Sequence, residues 1–164
     1  MKNIFYFIGA SGVGKSTICK MLIKDNLKMQ YEELDLIYRR FRDKKEISRE
    51  EAIKETKEKI IEIENLSDGK IYLVDAGNFA QKVVGIDSWK KIKGSIILLV
   101  NDDICLNTYL SRGVGRIKKD WERAENFKDR EELYKLAKHV VNSRCFNKEE
   151  TMLEILTIIN GYQQ

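Results

Sequence analysis

The sequence has no proline, one histidine and three cysteines among its 164 residues. Without proline there is no cis-proline turn, so we expect glycine, asparagine and aspartate to end the helices and strands. An odd number of widely spaced cysteines, Cys19, Cys105 and Cys145, predicts reduced and buried thiols rather than a disulfide framework or a clustered metal site. We interpret the single histidine, His139, as a structural or exposed residue and not as a catalytic group.

Long apolar runs and a large excess of one charge are also missing. The longest apolar runs span five residues, as at 96–100, whereas a membrane-spanning helix needs roughly 18. The run at 4–8 ends at Gly9 and is too short for the core of a secretion signal. Thirty Lys+Arg residues against 26 Asp+Glu leave a charge of +4, which favours anionic ligands but is far from a nucleic-acid-binding signature. We therefore expect a cytoplasmic protein with small-molecule partners, no nucleic acid partner and no membrane contact.

What the sequence does contain is an alternation of short apolar runs with longer segments of helical period, which is typical of a parallel sheet covered by helices. Nearly continuous apolar runs at 4–8, 71–74 and 96–100 predict strands buried on both faces. The other predicted elements are a helix over 15–24, a short strand over 31–34, helical segments reaching 66, a helix over 102–110, a helical segment over 130–141, a weak strand near 140–143 and a closing helix over 149–159. We expect one α/β domain over residues 1–164, and its oligomeric state stays open.

Residues 9–17 match the spacing G-x-x-x-x-G-K-[ST]. Glycines at 9, 12 and 14 allow the backbone to wind tightly and to direct successive N–H groups at phosphate oxygens, at the positive end of the following helix. Lys15 can reach the β and γ phosphates, and the Ser16 hydroxyl can coordinate Mg²⁺. The candidate nucleotide-binding residues of this phosphate loop are Gly9, Ser11, Gly12, Val13, Gly14, Lys15, Ser16 and Thr17.

The context of the phosphate loop agrees with this interpretation, because an apolar strand directly precedes it and an amphipathic helix follows. Its glycines do not have the spacing G-x-G-x-x-G, which argues against a nicotinamide-dependent enzyme. We therefore predict a P-loop NTPase fold, with a central parallel sheet flanked by helices, that binds ATP and Mg²⁺.

A second glycine-containing segment is basic. Residues 111–119 place two glycines among arginines and lysines, including Arg112 and Arg116. We interpret this segment as a mobile loop that faces the phosphates, within a lid over about residues 112–126.

The phosphate loop, the acidic segment Glu33-Leu34-Asp35 and the basic lid together resemble the shikimate kinases over most of the chain. The resemblance implies a small kinase that transfers the γ-phosphoryl group of ATP to a hydroxyl of a small metabolite. In that family one carboxylate of the acidic segment serves the Mg²⁺ shell and the other binds the acceptor hydroxyl. By this resemblance Glu33 takes the first role and Asp35 the second.

The same resemblance implies roles for four arginines. Arg112 lies on the adenine side of the site, and Arg116 closes over the phosphates. Arg130 begins a segment that looks like the family's Arg-x-x-Leu-Tyr motif, whose arginine binds the substrate carboxylate, a task that suits a bidentate guanidinium. Arg144 falls where the family's adenine-contacting loop lies.

The acceptor pocket is where this sequence departs from the family. Shikimate kinases follow their third strand with a Gly-Gly-Gly turn, whereas this chain has Asp75-Ala76-Gly77-Asn78, so Gly77 alone is expected to line the acceptor. The family's Phe-Arg pair has no close counterpart, and Arg49 is the nearest arginine. The resemblance thus supports phosphoryl transfer more strongly than it supports shikimate as the acceptor.

Asp75 also has the position of a Walker B aspartate, which ends an apolar strand and holds Mg²⁺ directly or through water. It is therefore an alternative to Glu33 as the residue that serves the metal. The other interpretation is an aspartate that caps the turn before Gly77.

The expected mechanism uses Lys15, Mg²⁺ and Arg116 to offset charge on the transferred group while Asp35 orients the acceptor hydroxyl. Two alternatives stay open. A nucleoside or nucleotide kinase would need a base pocket on Trp89 or Tyr38, although we interpret Trp89 and Trp121 as packing residues. A non-catalytic nucleotide-binding regulator would instead use the segment after the third strand as a switch.

Overall fold

The computed structural model describes residues 3–144 and 147–164. The strands of these residues are β1 (Ile4–Gly9), β2 (Met29–Glu33), β3 (Ile71–Asp75), β4 (Ser95–Val100) and β5 (His139–Asn142). They form one sheet in the order β2-β3-β1-β4-β5, and each neighbouring pair is parallel. The predicted α/β class with a central parallel sheet is confirmed.

Helices connect successive strands and cover both faces of the sheet. In chain order they are α1 (Lys15–Lys24), α2 (Asp35–Arg42), α3 (Arg49–Glu64), α4 (Asn78–Val83), α5 (Ile86–Trp89), α6 (Asp102–Ser111), α7 (Lys118–Glu125), α8 (Arg130–Lys135) and α9 (Lys148–Gly161). None of the helices in the described ranges is long and apolar enough to span a membrane.

The central strand β1 is buried on both faces, as its continuous apolar run predicts. Phe5 and Phe7 pack on one side with residues of α1 and α9, and Tyr6 and Ile8 pack on the other side with residues of α3, α4 and α5. Each large apolar side chain buried in this way contributes about 1.5–3 kcal/mol. The two layers therefore fix β1, and with it the start of the phosphate loop.

The helical segment predicted over 130–141 is wrong in its second half. Helix α8 ends at Lys135, and β5 begins at His139 and pairs with β4. Val141 is fully buried while Val140 is 60% exposed, the alternation of an edge strand with one covered face. The ladder with β4 outweighs the local helical period here. Helices α4, α5 and α7 were also not predicted.

Several residues singled out by type have structural roles. Cys19 and Cys105 are buried, whereas Cys145 lies outside the described residues. Trp89 is 1% exposed and meets the ring of Tyr6 edge-on at 5.7 Å, as expected of a packing residue. The His139 ring nitrogen Nε2 forms a hydrogen bond of 3.0 Å with the Tyr162 hydroxyl, far from the phosphate loop in the fold.

The parallel order brings the carboxyl ends of all five strands to one edge of the sheet. In the strand register Glu33 lies opposite Asp75, and Asp75 lies opposite Phe7 in the strand that leads into the phosphate loop. Ligands of open α/β sheets bind outside this edge. The acidic residues and the phosphate loop are therefore neighbours because of the topology.

Candidate functional site

A cavity of about 810 Å³ opens at the carboxyl edge of the sheet. The phosphate loop, the ends of β2 and β3, helices α2 and α4 and the lid form its walls. Its charged lining residues are Lys15, Glu33, Asp35, Arg39, Arg42, Arg49, Asp75, Lys82, Arg112 and Arg116. Cations outnumber carboxylates in this lining, so the cavity favours an anionic ligand.

Close backbone contacts explain the first two glycines of the phosphate loop. A Cβ atom on Gly9 would lie 2.4 Å from the carbonyl oxygen of Leu99, and one on Gly12 would lie 2.4 Å from the carbonyl oxygen of Cys105. Both glycines also have positive φ, 137° and 89°. Any side chain at these positions would push the loop away from β4 and α6.

Lys15 lies across the loop that precedes it. Its side chain is 7% exposed, and Nζ donates to the carbonyl oxygens of Gly9 at 3.0 Å and Ala10 at 2.9 Å. Ser11, Gly12, Gly14 and Ser16 join Lys15 in lining the cavity. The side chain of Val13 is buried in the core and that of Thr17 is exposed, and neither residue lines the cavity.

Gln81 of α4 joins the phosphate loop to the end of β3. Its side chain is buried, and Nε2 donates to the carbonyl oxygens of Gly9 at 3.0 Å and Ala76 at 2.6 Å. Its Oε1 accepts the N–H of Gly9 at 3.3 Å. One amide thus satisfies three backbone groups that the ends of these segments leave unpaired.

Asp75, at the end of β3, is a buried acid with one oxygen unengaged. It is 5% exposed; Oδ2 accepts a hydrogen bond from the Tyr31 hydroxyl at 3.4 Å, and Oδ1 has no partner among the described residues. Burial raises the pKa of Asp75 to about 6, against the opposing effect of Lys15, and Asp35 and Glu33 raise it further. Neither oxygen accepts a backbone N–H among the described residues, so no capping contact is present, and an oxygen without a partner fits a cation site.

Asp35 holds the start of α4 as well as lining the cavity. Its Oδ1 accepts the N–H of Ala80 at 3.1 Å, and Oδ2 accepts the N–H of Phe79 at 3.3 Å. A Cβ atom on Gly77 would lie 2.2 Å from the Asp35 carboxyl carbon, so Gly77 is needed for this close approach. Burial raises the pKa of Asp35, partly offset by the two backbone hydrogen bonds.

Glu33 is already paired. Its Oε1 accepts from the Arg39 guanidinium at 2.8 Å, and Oε2 accepts from the Tyr31 hydroxyl at 3.3 Å. The same hydroxyl also lies within reach of Asp75, and a single O–H can donate to only one of the two acids at a time. Burial and these acids raise the pKa of Tyr31.

The donor set fits Mg²⁺. In the described part of the chain no three acidic, histidine or cysteine side chains are arranged to enclose a metal. Mg²⁺ does not need such a cage, because it is commonly held by one or two carboxylates with waters and substrate phosphates. Ser16 and Asp75 both line the cavity, and both carry hard oxygen donors.

The lid reaches the phosphate loop at Ser11. The guanidinium of Arg112 donates to Ser11 Oγ at 3.4 Å, and the indole Nε1 of Trp121 donates to the Ser11 carbonyl oxygen at 3.2 Å. Glu125, at the end of α7, accepts the Ser11 N–H at 3.0 Å. Arg116 lies over the Tyr109 ring at 5.0 Å and lines the cavity. Trp121 therefore packs against the core, as predicted, and also bonds to the loop.

Two arginines assigned by resemblance do not line the cavity. Arg130 lies over the ring of Tyr134 at 5.1 Å in α8. Arg144 bonds to Glu154 of α9 at 2.9 Å and pairs with Glu150 at 3.7 Å. The structure thus brings five predicted residues of the phosphate loop together with the three carboxylates, Gly77, Arg112 and Arg116 around one cavity, but not these two arginines.

The end of the cavity away from the phosphate loop is aromatic and basic. Tyr38 and Phe79 stack with ring centroids 4.5 Å apart and an interplanar angle of 19°. Arg49 and Lys82 line the same cavity and form no ion pair within the described ranges. The sequence analysis did not assign Phe79, Lys82 or Glu125 to the site, and it did not predict the hydrogen bond of Trp121. For Phe79 and Lys82, the one signal in the sequence was their helical spacing after Gly77.

Three solved structures share this architecture over nearly the whole chain. The shikimate kinase of Bacteroides thetaiotaomicron is 14% identical with a TM-score of 0.71, covering 96% of this chain and 98% of its own. The enzyme of Aquifex aeolicus is 17% identical with a TM-score of 0.67, covering 98% of each chain. The enzyme of Acinetobacter baumannii, solved in complex with shikimate, is 13% identical with a TM-score of 0.65, covering 99% of this chain and 95% of its own.

These likenesses confirm the predicted P-loop NTPase fold. More particularly, the chain has the fold of the small kinases represented by shikimate kinase. No protein-family model and no curated protein matches the sequence.

Proposed function

We propose that the chain is an ATP- and Mg²⁺-dependent kinase that transfers the γ-phosphoryl group to a hydroxyl of a small anionic metabolite. One observation carries the proposal: the phosphate loop, the carboxylate residues Asp35 and Asp75 and the lid arginines all line a single cavity. The shikimate kinase fold supports it. As proposed, the enzyme works in the cytoplasm as one domain over residues 1–164, with a lid over about residues 112–126.

The nucleotide end uses the phosphate loop and the lid. Backbone N–H groups of residues 9–17 would bind the phosphates, with Lys15 turning from its two loop carbonyls toward the β and γ phosphates. Arg116 would offset charge on the transferred group, and Arg112 would bind on the nucleotide side. Because Arg144 is engaged with α9, we leave it out of the nucleotide site.

For the metal we favour Ser16 and Asp75 over Glu33. Both oxygens of Glu33 accept hydrogen bonds, one of them from an arginine, whereas Oδ1 of Asp75 is free of any partner among the described residues. When bound, Mg²⁺ would neutralise negative charge on the β and γ phosphates.

Asp35 would orient the acceptor hydroxyl and accept its proton as the phosphoryl group moves. Each of its oxygens accepts one backbone N–H and keeps a further lone pair for the substrate. Its raised pKa brings it closer to the range in which a carboxylate is an effective general base. The fixed position of the carboxylate against Gly77 would supply orientation at no further cost in entropy.

Two cations without ion pairs, Arg49 and Lys82, indicate that the acceptor carries negative charge. In this proposal Arg49 binds the negative charge of the acceptor, the role that the resemblance assigned to Arg130. Shikimate, a carboxylate with ring hydroxyls and the ligand of the A. baumannii neighbour, is the first acceptor to test. Ala76 and Asn78 flank Gly77 in the turn where that family has three glycines, so we expect specificity to differ.

A nucleoside or nucleotide acceptor is a second candidate, which the stacked rings of Tyr38 and Phe79 favour. An aromatic pair at a cavity wall can pack against a flat base. Trp89 is buried in the core and does not line the cavity, so the base pocket considered for it is wrong.

The test is ADP release from ATP and Mg²⁺ with shikimate, other hydroxy acids, nucleosides and nucleoside monophosphates, alongside a Lys15→Ala control. Acceptor-dependent release that disappears in Lys15→Ala supports the kinase, and the acceptor that works decides between the two candidates. ATP binding with no acceptor in the panel would instead favour a non-catalytic nucleotide-binding regulator.

A further inference from the structure

A single residue of the phosphate loop, Ser11, receives most of the contacts from the lid. Its N–H, its carbonyl oxygen and its hydroxyl are bonded by Glu125, Trp121 and Arg112, at 3.0, 3.2 and 3.4 Å. Glu125 and Trp121 lie one turn apart on α7. Helix α7 is therefore fastened to the loop by one acceptor and one donor that use the two backbone groups of the same residue.

Glu125 is unusual because it is a buried acid among neutral partners. It is 3% exposed, and its Oε1 accepts from the Ser11 N–H and from Nδ2 of Asn78, the latter at 2.6 Å. Both of these donors are neutral groups. Burying a carboxylate is costly, and two neutral hydrogen bonds offset only part of that cost.

The place of this charge gives it a chemical consequence. The phosphate loop binds anions through its backbone N–H groups, and Glu125 is an anion that occupies one of them. A nucleotide phosphate in the loop would bring a second negative charge close to Glu125 in a site shielded from water, where like charges repel strongly. The contact of α7 with Ser11 and the binding of phosphate therefore oppose each other.

We propose that Glu125 is a positioning residue that fastens α7 to Ser11 and is displaced by nucleotide phosphate, so that nucleotide binding releases the lid helix from the loop. This inference rests on the proposed function only in requiring that the loop bind a nucleotide. Helix α7 therefore responds to nucleotide in the phosphate loop. It stays bonded to Ser11 while the loop is empty, and nucleotide binding frees the lid arginines to engage the phosphates.

The sharpest variant is Glu125→Gln, which has the same shape and keeps an oxygen that can accept the Ser11 N–H but removes the charge. We expect MgATP to bind about three- to tenfold more tightly to this variant by calorimetry, because the repulsion is gone. A purely structural role predicts equal or weaker binding. The matched control is Glu122→Gln, the same change one turn earlier on α7, where the acid is exposed and pairs with Lys118 at 3.6 Å.

Tryptophan fluorescence gives a second readout that needs no change at Glu125. Saturating MgATP should shift the emission of the wild-type protein, because the Trp121 indole loses its bond to the Ser11 carbonyl, while buried Trp89 stays constant. The shift should be absent in Trp121→Phe. This measurement decides the question even if Glu125→Gln fails to fold.

The outcomes separate this inference from the proposed function. Lys15-dependent binding of MgATP with the same affinity in wild type, Glu125→Gln and Glu122→Gln, or an unchanged Trp121 emission at saturation, would overturn the inference alone. No nucleotide binding by the wild-type protein would overturn both. Tighter binding in Glu125→Gln only, together with the emission shift, would support it.

Discussion

The two ends of the cavity are built in different ways. The nucleotide end is a continuous stretch of chain, residues 9–17, whose glycines are fixed by contacts with the backbone of β4 and α6. The acceptor end is assembled from side chains of α2, α3 and α4 that lie far apart in the sequence. Because one end depends on backbone geometry and the other on replaceable side chains, the phosphate chemistry can stay constant while the acceptor changes.

The largest effect that would test this division is expected from Asp35→Asn. Loss of the general base should lower the rate of phosphoryl transfer by about 10²- to 10⁴-fold. MgATP affinity should change little, because the residue contacts α4 and the acceptor end rather than the loop. Steady-state kinetics measure the transfer rate, and calorimetry measures the MgATP affinity. Transfer at the wild-type rate would remove Asp35 from the mechanism.

The second-largest effect is expected from Gly77→Ala. The added Cβ would fall 2.2 Å from the Asp35 carboxyl carbon, so the acid or the start of α4 must move. We expect a loss of about 1–3 kcal/mol in the free energy of unfolding, as for overpacked sites. Transfer should fall along with it while nucleotide binding persists. Gly161→Ala, at a glycine with open space around it and no positive φ, is the control for a general effect of the methyl group.

Asp75 lies between the nucleotide end and the acceptor end of the cavity, and Asp75→Asn should raise the stability of the protein while it lowers the activity. The folded-state pKa of Asp75, about 6, lies above its ordinary value of 3.8. The folded state therefore holds the proton more tightly, and wild-type stability falls as pH rises from about 4 to 6.

Asparagine removes that charge, so Asp75→Asn should be more stable than wild type by roughly 1–3 kcal/mol at pH 7, with the difference shrinking toward pH 4. Urea unfolding at several pH values measures this. The same variant should lose Mg²⁺-dependent transfer. A destabilised variant at pH 7 would mean that Asp75 is stabilised by a partner instead of serving a cation.

The smallest effect should come from Lys82→Gln. If this unpaired cation binds the negative charge of the acceptor, KM for the acceptor rises about tenfold, which corresponds to ~1.4 kcal/mol, while KM for ATP is unchanged. Lys93→Gln, a lysine outside this cavity, is the matched control. An equal rise in both KM values would show that Lys82 does not belong to the acceptor end alone.

The difference between the nucleotide end and the acceptor end also explains which features could be predicted from the sequence. The three buried strands are local patterns and were predicted correctly. The loop motif is equally local, and its role in binding phosphate stays a prediction. The neighbouring positions of Glu33 and Asp75 follow from strand register once the sheet order is known. Arg49 could be noted from the sequence but not assigned, because its approach to the cavity depends on how α3 packs.

Long-range contacts account for what was missed. Glu125 meets Ser11 across 114 positions of sequence, and nothing local to α7 marks that acid among the other charged residues of the helix. The edge strand β5 was predicted as weak and partly overlaid with helix, since its identity comes from pairing with β4. Arg130 and Arg144, which the resemblance assigned to the site, do not line the cavity, because a short motif does not specify how its residues pack.

The two faces of helix α4 make different contacts. Through Gln81 its inner face ties the phosphate loop to the end of β3, so that the residues that handle phosphate and cation are held as one rigid body. Its outer face presents Asn78, Phe79 and Lys82 to the cavity. For the proposed kinase, exchanging side chains on one side of this short helix would change which acceptor binds, while the other side would keep the phosphate loop aligned with the end of β3.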